Sequence, residues 1–149
     1  MPSWSGFEAA CPDFAARVRA LLVARKHLTM ATLRRDGSPR ISGTEIEFAD
    51  DGQLRIGSMP NAAKAFDLRR DPRVAIHGPT EDPPPDDPKG WVGEAKISGT
   101  VTEVDSGSDA HRFLIDIRSA VITHLNPAGD RLVVELWTPD GGYRSMERE

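Results

Sequence analysis

Gly57, Ser58, Asn61 and Lys64 have the types and spacing to hold an anion. They lie within LRIGSMPNAAKAFDLRRDPRVAI, Leu54–Ile76, which reads as a strand, a short helix starting at Asn61, an Asp71-Pro72 stop and a second strand. The first turn of a helix leaves backbone N–H groups unpaired and carries a partial positive charge. A strand that delivers small residues to such a terminus suits a phosphate group, with Asn61 capping the helix and Lys64 adding a full charge. The plainer reading is that Asn61 only caps and Lys64 only faces solvent.

Other chemistry-bearing residues are less promising. His27, His77, His111 and His124 lie far apart without metal-ligand spacing, so they read as surface or strand-end residues and no metal site is expected. Cys11 precedes a helix, but no neighbouring His or second Cys supports catalysis. Glu45 and Glu47 share a strand face, where paired carboxylates without a pocket are solvated edge residues. The Arg69-Arg70 pair falls where positive charge is favoured, at a helix C-terminus. Trp4 falls in a tail, while Trp91 and Trp137 read as core or interface aromatics.

Composition sets the frame for these residues. The 149-residue chain is expected to form one domain, residues 1–149, with a tail at 1–10. No apolar run is long enough for a membrane-spanning helix, and MPSWSGFEAACPDF lacks the order of a signal peptide. A single cysteine fits a reducing cytoplasm, and a net charge of −4 argues against nucleic-acid binding. The expectation is a cytoplasmic protein with neither nucleic-acid nor membrane partners.

The elements that must position the site follow from periodicity and turn chemistry. Cys11–Arg25 reads as a helix with Phe14, Val18, Leu21 and Leu22 on one face. His27–Arg34, Pro39–Phe48 and Gln53–Gly57 read as an up-down-up meander turned at Asp36-Gly37 and Asp50–Gly52. In the short helix, Ala62, Ala65 and Phe66 form the apolar face. After a strand at Arg73–His77, residues 79–89 form an acidic proline-rich loop, a surface segment that could serve as a lid. Trp91–Val104 is a long strand bent or bulged at Gly93 or Gly99, and Ser108–Ser119 reads as an amphipathic helix through Phe113, Leu114 and Ile117. Strands at Arg131–Trp137 and Tyr143–Met146 complete the chain. The fold class expected is mainly β with flanking helices: a small antiparallel β-barrel.

Three segments, LTMATLRRDGSPRIS (Leu28–Ser42), GSMPNAAKAFDLRRDPRVAI (Gly57–Ile76) and WVGEAKISGTVTEV (Trp91–Val104), carry a family resemblance. In order and spacing, from Leu21 to Val104, the chain resembles the pyridoxamine 5′-phosphate oxidase-like family of FMN-binding split barrels. The resemblance implies a homodimer with two cofactors at the subunit interface, acting as an oxidoreductase on a small molecule. It places the phosphate-contacting lysine at Lys64 and the strand-ending hydroxyl at Ser58. The backbone facing the flavin ring falls on Ser42–Glu47, chiefly Ser42, Gly43 and Thr44. Trp137 and Arg144 stand where C-terminal residues of the oxidase reach the partner's cofactor.

The chain departs from the oxidase at Ala63, where the family has an arginine, and at Ser42 and Glu47, where it has basic residues. Pyridoxamine 5′-phosphate oxidation itself is therefore not expected. FMN is the expected cofactor, with the deazaflavin F-420 as the alternative. The rival readings are a haem-binding or haem-degrading split barrel and a non-catalytic binding protein that has lost its phosphate site.

Overall fold

A computed structural model describes residues 3–149. Ser3 caps a short helix, α1 (Trp4–Ala10), by accepting a hydrogen bond from Gly6 N, and α2 (Pro12–Leu22) follows directly. Nine strands come next: β1 (Leu28–Leu33), β2 (Pro39–Thr44), β3 (Ile46–Phe48), β4 (Leu54–Ser58), β5 (Arg73–His77), β6 (Glu94–Val104), β7 (His111–Leu125), β8 (Leu132–Thr138) and β9 (Gly142–Arg148). Helix α3 (Ala63–Arg70) lies between β4 and β5.

All pairings are antiparallel, in the order β2-β1-β5-β6-β7-β4-β3. The two end strands, β2 and β3, are joined in sequence through Glu45 alone. The sheet therefore curls until its ends meet, yet no ladder closes the seam between them. The fold is the split barrel expected, but the meander is corrected: β2 pairs with β1, β3 with β4, and the expected strand Pro39–Phe48 breaks at Glu45.

The expected helix at Ser108–Ser119 is instead the first part of β7. Phe113, Ile115 and Ile117 are buried in alternation, a period of two, and the β-branched run suits a pleated surface. β7 serves as a branch point. One edge pairs with β6 throughout, while the other pairs with β4 over His111–Leu114 and with β8 over Ala120–Leu125. The β6–β7 ladder slips at Ser98/Gly99, where a Cβ on Gly99 would overlap the Asp116 carbonyl oxygen.

Trp4 is a second correction. It is 2% exposed rather than part of a loose tail, and it packs edge-on against Phe7 and Phe48 at 5.1 and 4.7 Å. Phe7 in turn packs on Trp137 at 4.4 Å. With Phe14, Val18 and Leu22 of α2, these side chains cover one opening of the barrel and join its core of Met30, Leu54, Ile76, Ile115 and Ile122. No described helix is long and apolar enough to cross a membrane.

Candidate functional site

A cleft of about 590 Å³ follows the seam between β2 and the β3–β4 hairpin. One lip is Gly43, Thr44 and Glu45; the other is Glu47, Arg55, Gly57 and Ser58; and Lys64 of α3 and Arg112 of β7 stand beside it. The sheet places each of them. β2 ends at Thr44 before the break at Glu45, and β4 brings Gly57 and Ser58 opposite Arg112 and His111.

Lys64 is the element that spans the seam. Its Nζ donates to the carbonyl oxygen of Gly43 at 2.8 Å, and partial burial lowers its pKa from the ordinary lysine value. Ser58 Oγ is buried with no hydrogen-bond partner, and so is Arg55 Nε. A buried donor left unpaired costs about 1–3 kcal/mol, so both atoms are primed for an acceptor from outside the chain.

Helix α3 is held from two sides. Asp67, 2% exposed, accepts from Thr32 Oγ1 and Arg40 Nε at 2.7 Å and from Arg70 at 2.8 Å. Burial opposes its charge, but the bonds from Arg40, Thr32 and Arg70 more than offset this and hold the carboxyl below its usual pKa. At the helix C-terminus Arg69 grips Glu103 of β6. These anchors fix the direction in which Lys64 projects.

Several candidate residues stand elsewhere. Asn61 does not cap α3: it adopts a left-handed φ of 60°, and the cap is the next residue, Ala62, without a side-chain bond. Asn61 N donates instead to His111 Nε2 at 3.3 Å. Ser42 sits on β2 opposite Met30 and does not line the cleft. Trp137 is 5% exposed, packs against Phe7 in the core and does not line the cleft. Arg144 lies on the outer strand β9, opposite Leu136 and away from the cleft.

Two cations that the sequence did not single out do line it. Arg55 faces Glu47 across the β3–β4 ladder and bonds Asp51, and Arg112 lies across the ladder from Gly57. Arg112 takes part in no ion pair among the described residues. Reading His111–Leu125 as a strand would have found it, because period two places Arg112 on the face opposite Phe113. Lys64, Arg55 and Arg112 line the cleft together with Glu45 and Glu47, and Arg55 is already paired with Asp51. Glu45 is further engaged by His27 at 3.3 Å.

Residues 14–139 match the family model described as pyridoxamine 5′-phosphate oxidase. No curated protein matches the chain. Among solved structures, it is similar to a pyridoxamine 5′-phosphate oxidase-related, FMN-binding protein from Nostoc punctiforme, at 15% identity and a TM-score of 0.62 over 96% of each chain. It is also similar to PhzG from Burkholderia lata, at 10% identity and a TM-score of 0.63, covering 96% of this chain and 89% of that one. An F-420 reductase gives 17% identity and a TM-score of 0.52, with 68% of this chain and 94% of that one covered. At these identities the likenesses speak for the fold.

Proposed function

Since this chain belongs to the pyridoxamine 5′-phosphate oxidase family, we propose that the seam holds a flavin-type cofactor, FMN in the first instance and the deazaflavin F-420 as the alternative. The supporting observation is the unpartnered Ser58 hydroxyl beside Lys64, at a helix start that has no side-chain cap. These groups fit a phosphate: a hydroxyl donor and an ammonium line one concave place. Arg55 and Arg112 supply charge that Ala63, Ser42 and Glu47 do not.

When bound, such a cofactor supplies hydride or electron transfer, and the protein supplies binding and orientation. Lys64 and Ser58 would hold the phosphate. Gly43 and Thr44, at the end of β2 that lines the cleft, would present backbone groups to the ring. Glu47 and Arg55 set the local charge on the other lip. The reaction is oxidation or reduction of a small molecule, and no side chain in the cleft is assigned as acid or base.

A homodimer completes this reading. Met59 at the cleft is 79% exposed and Ile41 on β2 is 75% exposed, apolar surface that a second copy would cover. Arg144 is then the C-terminal residue available to reach across, since Trp137 is committed to the core.

The test is an absorbance scan of the purified protein, titrations with FMN and with F-420, and sedimentation to measure mass. Binding of one cofactor by a dimer, weakened in Lys64→Ala and Ser58→Ala, supports the reading. Binding of neither, binding of haemin instead, or an affinity unchanged in Lys64→Ala overturns it.

A further inference from the structure

A second concave site lies on the other face of α3, between that helix and the β1–β2 hairpin. It encloses about 520 Å³ and gathers four guanidinium groups, Arg34, Arg35, Arg40 and Arg70, around two carboxylates, Asp36 and Asp67. In a chain of net charge −4 this concentration of arginine is a local exception.

The two carboxylates are already occupied. Asp67 is shared by Arg40 and Arg70, and Asp36 accepts from Ser38 N at 2.9 Å and Ser38 Oγ at 2.6 Å. Arg40 reaches Asp67 through Nε, which leaves its terminal nitrogens without a carboxylate. Arg34 and Arg35 enter no ion pair among the described residues. Arg34 and Arg35, without an ion pair of their own, favour an incoming anion, and guanidinium forks match phosphate oxygens in pairs.

Phe66 supplies the second half of the recognition. Its position in the sequence suggested the apolar face of α3, but it is 45% exposed and lines this groove, while Ala65 and Leu68 take the buried face. The ring lies 5.8 Å from the Arg69 guanidinium and 6.2 Å from the His111 ring, and where it lines the groove it offers a flat apolar surface next to a positive one.

We infer that this groove binds a phosphate monoester carried on a flat, apolar group: the phosphate on Arg34, Arg35 and the free nitrogens of Arg40, the flat group against Phe66. Two uncompensated positive charges match one dianionic phosphate. The site is separate from the seam and does not depend on what the seam holds.

Phenyl phosphate is a suitable probe, followed by amide and arginine side-chain NMR on the full chain, with inorganic phosphate and phenol as part-ligands. Phenyl phosphate is expected to bind more tightly than either part and to shift Phe66, Arg34 and Arg35. Arg34→Ala/Arg35→Ala should weaken it about tenfold, since two charge-assisted contacts at an exposed site are lost. Phe66→Ala should weaken phenyl phosphate but leave inorganic phosphate unchanged at this groove, as followed by the Arg34 and Arg35 signals. Shifts confined to Ser58 and Lys64, or equal affinity in the double variant, would overturn the inference. Should the double variant fail to fold, Arg35→Gln with the same titration decides: unchanged binding overturns the site and weakened binding supports it.

Discussion

Lys64 Nζ and the Gly43 carbonyl oxygen, 2.8 Å apart, form the hydrogen bond by which α3 reaches across the seam to β2. The bond is exposed, so it adds little to stability, and the lysine is free to turn toward a better acceptor. Lys64→Ala is therefore expected to lower stability by under about 1 kcal/mol in urea unfolding. The same variant should weaken cofactor binding about tenfold or more in a fluorescence titration, because a charge-assisted contact is lost.

Asp67 carries more of the fold than Lys64 does. Removing its carboxylate leaves Arg40 and Arg70 partly buried without a counter-charge. Asp67→Ala is expected to cost about 2–4 kcal/mol, whereas Thr32→Val, which deletes one neutral donor, costs about 1 kcal/mol. Chemical denaturation of both variants gives the comparison, and equal losses would contradict the assignment.

Glu135 sets a pH dependence. Its pKa is held at about 2, against an ordinary 4.5, first by the two hydrogen bonds from Arg17 and further by Tyr143 and His124 against the opposing effect of burial. The folded state thus binds fewer protons than the unfolded chain as pH falls below 4.5. Its contribution is complete above that pH and is lost as pH drops toward 2. Glu135→Gln should lower stability at neutral pH and flatten its decline in acid, as measured by urea unfolding at a series of pH values.

Gly99 tests the slip between β6 and β7. A side chain there meets the backbone of Asp116, which cannot move without disturbing the β6–β7 ladder. Gly99→Ala is expected to destabilise by about 3 kcal/mol, while Gly43→Ala, which meets no atom, should be near neutral for stability. Thermal denaturation separates the two.

Much of this could be read from the residues alone. The β1–β2 hairpin was legible because Asp36-Gly37 encodes its own turn, Gly37 adopting the left-handed φ of 84° that the pair predicts. The Asp71-Pro72 stop was legible for a similar local reason. β7 was not, because Phe113, Leu114 and Ile117 satisfy a helical period while Phe113, Ile115 and Ile117 satisfy a strand period. Pairing with β4, β6 and β8, remote in sequence, decides between them. Arg112 was lost with that misreading. α1 escaped because a 7-residue helix offers too few turns for a pattern. Of the candidate site, Gly43, Thr44, Gly57, Ser58 and Lys64 meet in one cleft. Asn61, Ser42, Trp137 and Arg144 do not join them, since cap geometry, strand facing and core packing are set by neighbours that the local sequence does not name.

The gap left where β2 and β3 meet without a ladder has a mechanical consequence. A hoop broken at one point is as stiff as whatever bridges the break, and here α3 holds β2 through Lys64 and through Asp67. A molecule lodged there would brace both rims at once, so occupancy should tighten the whole cylinder and slow amide exchange in strands that never touch it.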